Sequence, residues 1–156
     1  MYKIGIGQDS HKLRKGRSLV LGGVKISDKY YLEADSDGDV ILHAIFNALS
    51  SAIGEKPLGF YATPLFKQGV TDSKIFLEVI LEKLKQQKCK IENVAITVEA
   101  KIPRFEKILE PIRQSLAKIL EIKANQVGIS PTSGDGLTAF GRGEGIQVMA
   151  VVLISK

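Results

Sequence analysis

The sequence predicts an α/β domain of the two-layer α+β type, a mixed β-sheet with helices packed on one side. Three observations predict it. Strand-like apolar runs alternate with three helical patterns in the order β-β-α-α-β-α-β-β. The 156 residues, 44% hydrophobic and 25% charged, fit one core of ordinary size, so residues 1–156 read as a single domain. No internal repeat, low-complexity segment or linker divides the chain, and no apolar run approaches the ~20 residues of a membrane-spanning helix.

Residues 3–9 read as a strand, Ile4 and Ile6 alternating with Gly5 and Gly7. Residues 18–26 form one or two short strands broken at Gly22-Gly23. "DVILHAIFNALSSAI" (39–53) is a mostly buried helix, with Asp39 in its first turn and Gly54 at its C-terminal end. Residues 54–70 are punctuated by Gly54, Pro57, Gly59, Pro64 and Gly69 and read as loop. "DSKIFLEVILEKLKQQ" (72–87) is an amphipathic helix, acidic at its start and basic at its end, as the helix dipole favours. "IENVAITVEA" (91–100) is a strand with Val94, Ile96 and Val98 on one face. A third helix spans about 105–121, its regular part opened by Pro111, because an interior proline costs roughly 3 kcal/mol. Residues 126–130 are a short strand. Residues 146–154 are a last strand, apolar on both faces and therefore expected to be buried on both.

The net charge of +5 admits nucleic acid or an anionic small molecule as partner. The basic residues are scattered, however, and the densest run, "EKLKQQKCK" (82–90), has no interleaved aromatic residues for base stacking, so no nucleic-acid partner is expected. A lone Cys89 rules out a disulfide framework within the chain, and "MYKIGIG" is too short and strand-like for a secretory signal. A cytoplasmic protein without a membrane partner is the expectation.

Chemistry concentrates in three places. Asp9 and His11 stand two apart in an extended run, so both side chains point the same way. The only other histidine, His43, lies in "SDGDVILHAI" (36–45) on the first helix. Asp, His and His are the three protein ligands of a divalent metal site with an open position. Spacing alone leaves open two ordinary histidines near acids. "DSDGD" (35–39) is not a calcium loop, since position 46 is Phe where the closing Glu belongs; Ser36, Asp37 and Asp39 can instead cap a helix whose N–H groups point at an anion. "PTSGDGLTAFGRGEGI" (131–146) puts five glycines among Thr132, Ser133, Asp135, Arg142 and Glu144. It is a phosphate cradle or a turn-rich hairpin loop, but not a P-loop, because no Gly-Lys-Ser/Thr follows. "EAKIPRFEKI" (99–108) turns from strand to helix at Pro103, with Arg104 placed either to meet a phosphate or as a surface charge.

Together these segments resemble the 2-C-methyl-D-erythritol 2,4-cyclodiphosphate synthase family of the non-mevalonate isoprenoid pathway. The resemblance runs from residue 3 to residue 154. It rests on D-x-H at 9–11, "SDGDV" with His43-Ala44, A-x-x-P at 100–103 and "GRGEGI" at 141–146, all in register. It implies a homotrimeric lyase with active sites between neighbouring subunits. The implied reaction closes 4-diphosphocytidyl-2-C-methyl-D-erythritol 2-phosphate into the 2,4-cyclodiphosphate and releases CMP. Asp9, His11 and His43 are then the ligands of Zn²⁺ (or Mn²⁺ or Co²⁺), and Asp135 helps a Mg²⁺ or Mn²⁺ on the substrate diphosphate. Ser133, Asp35 and Asp135 take the catalytic positions. Ser10, Ser36, Gly59, Ala100, Pro103, Arg104, Thr132, Ser133, Gly134, Asp135 and Arg142 take substrate-binding positions. Arg142 and Glu144 flank the trimer axis, where a phosphate or diphosphate ligand binds in the family.

The chain departs from the family pattern at several positions. Asp35 stands where the family has His, and Pro57-Leu58-Gly59 where it has Asp-Ile-Gly, leaving Glu55 as a substitute acid. The usual F-P-D-T-D is missing, "FYATPLF" (60–66) standing there. The usual Thr-Thr-x-Glu is Thr132-Ser133-Gly134-Asp135. Ala139 takes the place of a Phe, and Asn47 that of an Asp one helical turn after His43. Three alternatives follow: a non-catalytic paralogue that binds metal and phosphate, a metal-dependent phosphoester hydrolase with Asp35 as general base, or a basic RNA-binding module.

Overall fold

The computed structural model describes residues 1–156. Its main sheet has five strands in the order β4-β1-β7-β5-β6. They are β1 (Tyr2–Lys15), β4 (Tyr30–Leu32), β5 (Lys90–Glu99), β6 (Val127–Thr132) and β7 (Gly145–Ser155). β1 pairs antiparallel with β4 and β7, β7 antiparallel with β5, and β5 parallel with β6, so the sheet is mixed as the sequence implies. β2 (Leu19–Leu21) and β3 (Val24–Ser27) form a separate hairpin turned by Gly22 and Gly23, both at positive φ.

Four helices cover one face: α1 (Val40–Ile53), α2 (Leu58–Lys67), α3 (Ser73–Gln86) and α4 (Leu109–Ile119). α1 lies directly on β1 and β7, and the reason is readable in β1. Gly5 and Gly7, not Ile4 and Ile6, face the helices. A Cβ on Gly5 would fall 1.9 Å from the Ala48 carbonyl oxygen, and one on Gly7 would fall 2.2 Å from that of Ala44. Ala44, Ala48 and Ala52 recur every four residues on the facing side of α1 and are buried. Helix backbone therefore sits on strand backbone with no side chain between. Asp9 and His11 continue the same face of β1 and emerge just beyond the end of this contact, beside His43.

The structure corrects four expectations. The 54–70 segment is not all loop: α2 occupies Leu58–Lys67 with Pro64 inside it. β1 runs to Lys15, not to 9, because β4 extends the ladder through Leu13↔Leu32 and Lys15↔Tyr30. The third helix starts at Leu109, although Pro111 does lie in its first turn. β7 is buried on one face only. Ile146, Val148, Ala150, Val152 and Ile154 are buried, whereas Met149 is 45% and Val151 41% exposed. Ile4 and Ile6 of β1 share that uncovered face, at 72% and 57% exposure.

Candidate active site

His43 sits one turn into α1, and what fixes that turn is Asp39. Asp39 is the N-cap, its carboxylate accepting from Leu42 N at 3.1 Å and also from Gly22 N at 2.9 Å and Gly23 N at 2.7 Å. Burial raises its pKa to about 6, while the three N–H groups pull the other way. One carboxylate thus ties the start of α1 to the β2–β3 hairpin, which α4 holds from outside through Ser115 Oγ donating to Gly22 O.

Asp9 Oδ2 lies 2.9 Å from His11 Nε2 and 2.9 Å from His43 Nδ1, and the two ring nitrogens are 3.2 Å apart. A tetrahedral zinc with bonds of ~2.05 Å holds its ligand atoms ~3.3 Å apart. The three groups are the one such cluster of metal-ligand side chains in the chain, and their spacing and donor set fit a divalent metal. The outer nitrogens are already engaged. His11 Nδ1 donates to the Glu33 carbonyl at 3.0 Å, and His43 Nε2 lies 2.8 Å from Ser73 Oγ, which points both inner lone pairs at the centre. Burial raises the pKa of Asp9, but hydrogen bonds and charge from His11 and His43 outweigh it and hold the carboxyl well below the usual range. Burial lowers the pKa of His11, and its bond to Asp9 more than reverses this, so the net shift is upward.

The triad opens into a cavity of about 400 Å³ with Asp35, Ser36, Leu58, Gly59 and Phe76 among its walls. Ser36 Oγ stands 3.4 Å from His43 Nε2. Asp35 is exposed at the rim and Gly59 lies in the first turn of α2. Two substitutes weighed from the sequence go elsewhere. Asn47 does not reach His43: its Oδ1 accepts from Leu58 N at 3.0 Å and so anchors the start of α2. Glu55 accepts from Tyr61 OH at 2.6 Å and pairs with Lys83 at 3.3 Å, outside the walls of the cavity.

Ala100, Pro103, Arg104, Thr132, Ser133 and Asp135 line a different cavity, of about 690 Å³. Ser133 Oγ donates to Asp135 Oδ1 at 3.1 Å, and Thr132 Oγ1 accepts from Gly134 N at 3.3 Å. Gly134 has φ +70 and lies so close to Glu99 that a Cβ would be 2.2 Å from Glu99 Oε1. The glycines here shape a tight turn and leave Ser133 and Asp135 exposed. Arg142 and Glu144 pair with each other at 2.8 Å, and Glu144 lines a third cavity with Ser10 and His11.

The sheet register separates the first two groups. Ser10↔Gln147↔Glu99↔Thr132 is one row across four strands. Three strand spacings put Thr132 about 14 Å from β1. The chain therefore gathers the metal ligands at one point and the 100–104 and 132–135 residues at another, both at the same end of the sheet. Sequence reading missed Ser73 and the Glu33 carbonyl as partners of the histidines. The only trace of Ser73 was its place after Asp72 at a helix start.

The sequence profile of the YgbB family matches residues 2–155. A protein of Chlamydia caviae named 2-C-methyl-D-erythritol 2,4-cyclodiphosphate synthase is 40% identical over 160 aligned positions, which cover 100% of this chain and 90% of that one. One of Chlamydia felis with the same name is 41% identical with the same coverage. Among solved structures, the bifunctional IspDF of Campylobacter jejuni superposes with a TM-score of 0.92 at 27% identity, covering 99% of this chain and 42% of that one. An IspF–CDP complex of Plasmodium falciparum superposes with a TM-score of 0.86 at 29% identity, covering 98% and 95%. With the family's profile matching nearly end to end and relatives this similar over the full length, the chain belongs to the YgbB family.

Proposed function

We propose that the chain is a lyase that cyclises 4-diphosphocytidyl-2-C-methyl-D-erythritol 2-phosphate to 2-C-methyl-D-erythritol 2,4-cyclodiphosphate and releases CMP. The observation that carries this is the Asp9–His11–His43 triad, formed at ligand distances in a chain 40% identical to proteins bearing that name. An oxygen of the 2-phosphate attacks the β-phosphorus. The bond from that phosphorus to the bridging oxygen breaks, and the oxygen leaves with CMP. The nucleophile belongs to the substrate, so the protein's work is alignment and charge neutralisation.

When bound, Zn²⁺ (or Mn²⁺ or Co²⁺) at the triad supplies Lewis acidity to phosphate oxygens. Asp9, His11 and His43 hold it, and Ser36 lines the same cavity within reach of the phosphate chain. Asp135 helps hold Mg²⁺ or Mn²⁺ on the diphosphate. Thr132, Ser133 and the Gly134 turn bind phosphate oxygens, the Ser133 hydroxyl exchanging its Asp135 partner for the substrate. Ala100, Pro103 and Arg104 border the cytidine. Asp35, exposed at the rim of the same cavity, takes the position that the resemblance makes catalytic, although a carboxylate there repels an approaching phosphate.

The protein acts as a homotrimer in the cytoplasm. Two observations support the trimer. The uncovered sheet face carries Ile4, Ile6, Met149 and Val151, an exposed apolar patch of the kind that marks an interaction surface. The two groups of site residues lie about three strand spacings apart, about 14 Å, so a neighbouring copy brings its 132–135 turn to this copy's metal. Arg142 and Glu144 then ring the axis, where a phosphate or diphosphate binds.

The test is product analysis with the purified protein, Zn²⁺ and Mg²⁺. CMP and the cyclic product in equal amounts, both lost in His43→Ala, is the expected result. CMP without the cyclic product would mean hydrolysis. No CMP from folded, metal-loaded protein would mean a binding role or another substrate.

A further inference from the structure

We propose that Ser73 and Asp37 are positioning residues for the metal: together they fix the protonation tautomer of His43 so that Nδ1 presents a lone pair to the ion. This rests on the metal reading given above and adds to it two residues outside the triad.

Donors and acceptors pair off inward from Asp37. Asp37 Oδ1 accepts from Asp39 N at 3.0 Å, and Oδ2 accepts from Ser73 N at 3.1 Å. Both carboxylate oxygens are thus committed as acceptors, and a carboxylate has no proton to give. Ser73 Oγ lies 2.5 Å from Asp37 Oδ1, so its single proton points at Asp37. The hydroxyl has then only lone pairs left for His43 Nε2, 2.8 Å away on its other side. His43 Nε2 must therefore carry the hydrogen. The hydrogen on Nε2 leaves Nδ1, 2.9 Å from Asp9 Oδ2, as the nitrogen that coordinates once the ion displaces any proton held between the two.

The consequence is competition avoided. Without the Ser73 acceptor, the ring gains most by placing its hydrogen on Nδ1 and donating to Asp9. That internal bond would occupy two metal ligands at once. His43 is 5% and Ser73 1% exposed, so water does not take over the role of Ser73. The other nearby acceptor, Ser36 Oγ, is 3.4 Å from Nε2, a much weaker partner, and it already accepts from Gly38 N at 3.1 Å. Asp37 and Ser73 lie 36 positions apart and reach His43 only because the loop before α1 and the first residue of α3 meet there.

His11 is the built-in control. Its Nδ1 faces the Glu33 carbonyl, which only accepts, so His11 carries its hydrogen on Nδ1 and offers Nε2. With the metal bound, the chain's only two histidines are therefore expected in opposite tautomers, and the polar partners of His11 are the Glu33 carbonyl, His43 and Asp9, not Ser73 or Asp37.

Ring-nitrogen NMR of the zinc-loaded protein reads this directly. The expected spectrum shows one Nε2–H ring, assigned to His43 by its loss in His43→Ala, and one Nδ1–H ring. In zinc-loaded Ser73→Ala the His43 Nε2–H signal loses its hydrogen-bonded shift while His11 is unmoved. Zinc affinity by chelator competition falls about 10- to 100-fold in Ser73→Ala, with the helical circular dichroism retained. An Nδ1–H tautomer for His43 in the wild type overturns the proposal, and that result needs no folded variant. Unchanged zinc affinity in folded Ser73→Ala overturns it too. Failure of the wild type itself to bind zinc would instead remove the metal reading on which both stand.

Discussion

Asp9 and His43 are 34 positions apart, yet their contact is set by the least adjustable packing in the molecule. The glycines of β1 let α1 sit on bare backbone, and Asp39 pins the start of the helix from the other side. Thr132 to Glu144 are neighbours in sequence, and most of what holds their polar groups is their own turn: Ser133 to Asp135, Thr132 to Gly134, Arg142 to Glu144. The metal end is preorganised by tertiary structure and already complete in one chain. The 132–144 loop is local, largely exposed and satisfied by itself, so a ligand there would find polar groups that can exchange partners without disturbing the core. A site of this kind has one part that loses function when the core is disturbed and another that loses function without the core noticing.

The largest separation between the two ends comes from removing a ligand. His43→Ala is expected to abolish tight zinc binding and to lower turnover about 1,000-fold, ~4 kcal/mol of transition-state stabilisation. Stoichiometric zinc retained in both this variant and His11→Ala would break the metal assignment. Next is Gly7→Ala, which touches no ligand. Its methyl would collide with the Ala44 carbonyl, so α1 must lift. We expect a loss of about 3 kcal/mol in denaturant unfolding, together with weakened zinc binding. If zinc affinity survives, His43 is not placed by this contact. Asp135→Ala tests the other end. Turnover should fall about 100-fold with zinc affinity unchanged and stability lowered by no more than about 1 kcal/mol, the cost of alanine at φ +47, since the side chain is exposed and touches only its own loop. A drop in stability comparable to that of Gly7→Ala would erase the contrast.

The smallest effect is a pH dependence. The folded-state pKa of His11 is raised above its ordinary 6.5, so its pair with Asp9 stabilises fully below that value and is lost as pH rises through the raised one. The metal-free wild type should therefore lose more thermal stability across neutral pH than metal-free His11→Ala does. Equal slopes would mean the pair contributes nothing to folding.

What the sequence disclosed follows the same division. D-x-H in an extended run and a histidine early in a buried helix are short-range patterns, so the triad was legible once both elements were placed. The 132–144 loop was legible as composition, its turns being made of adjacent residues. Ser73 was not, because serine is common at helix starts and its value comes from a contact 30 positions away. α2 was hidden by Gly59 and Pro64, which ordinarily end helices. It forms because Asn47 Oδ1 receives the Leu58 N–H and because Tyr61 and Phe66 pack against Phe46 and Phe76. The outer face of β7 was misread for a different reason. An apolar strand face says that something covers it but not whether the cover is a helix of the same chain or another copy.

Whether the two ends of one chain serve different active sites is decided by mixing two variants. His43→Ala and Asp135→Ala are each expected to be nearly inactive. If the protein is the trimer proposed above, the two variants unfolded together in equal amounts and refolded form mixed trimers in which about a quarter of the interfaces join an intact metal end to an intact 132–135 turn. Sites shared between two chains return about that fraction of wild-type activity in the mixture. Activity no higher than that of the separate variants, in trimers shown to be mixed, would place the whole site within a single chain and contradict the shared arrangement.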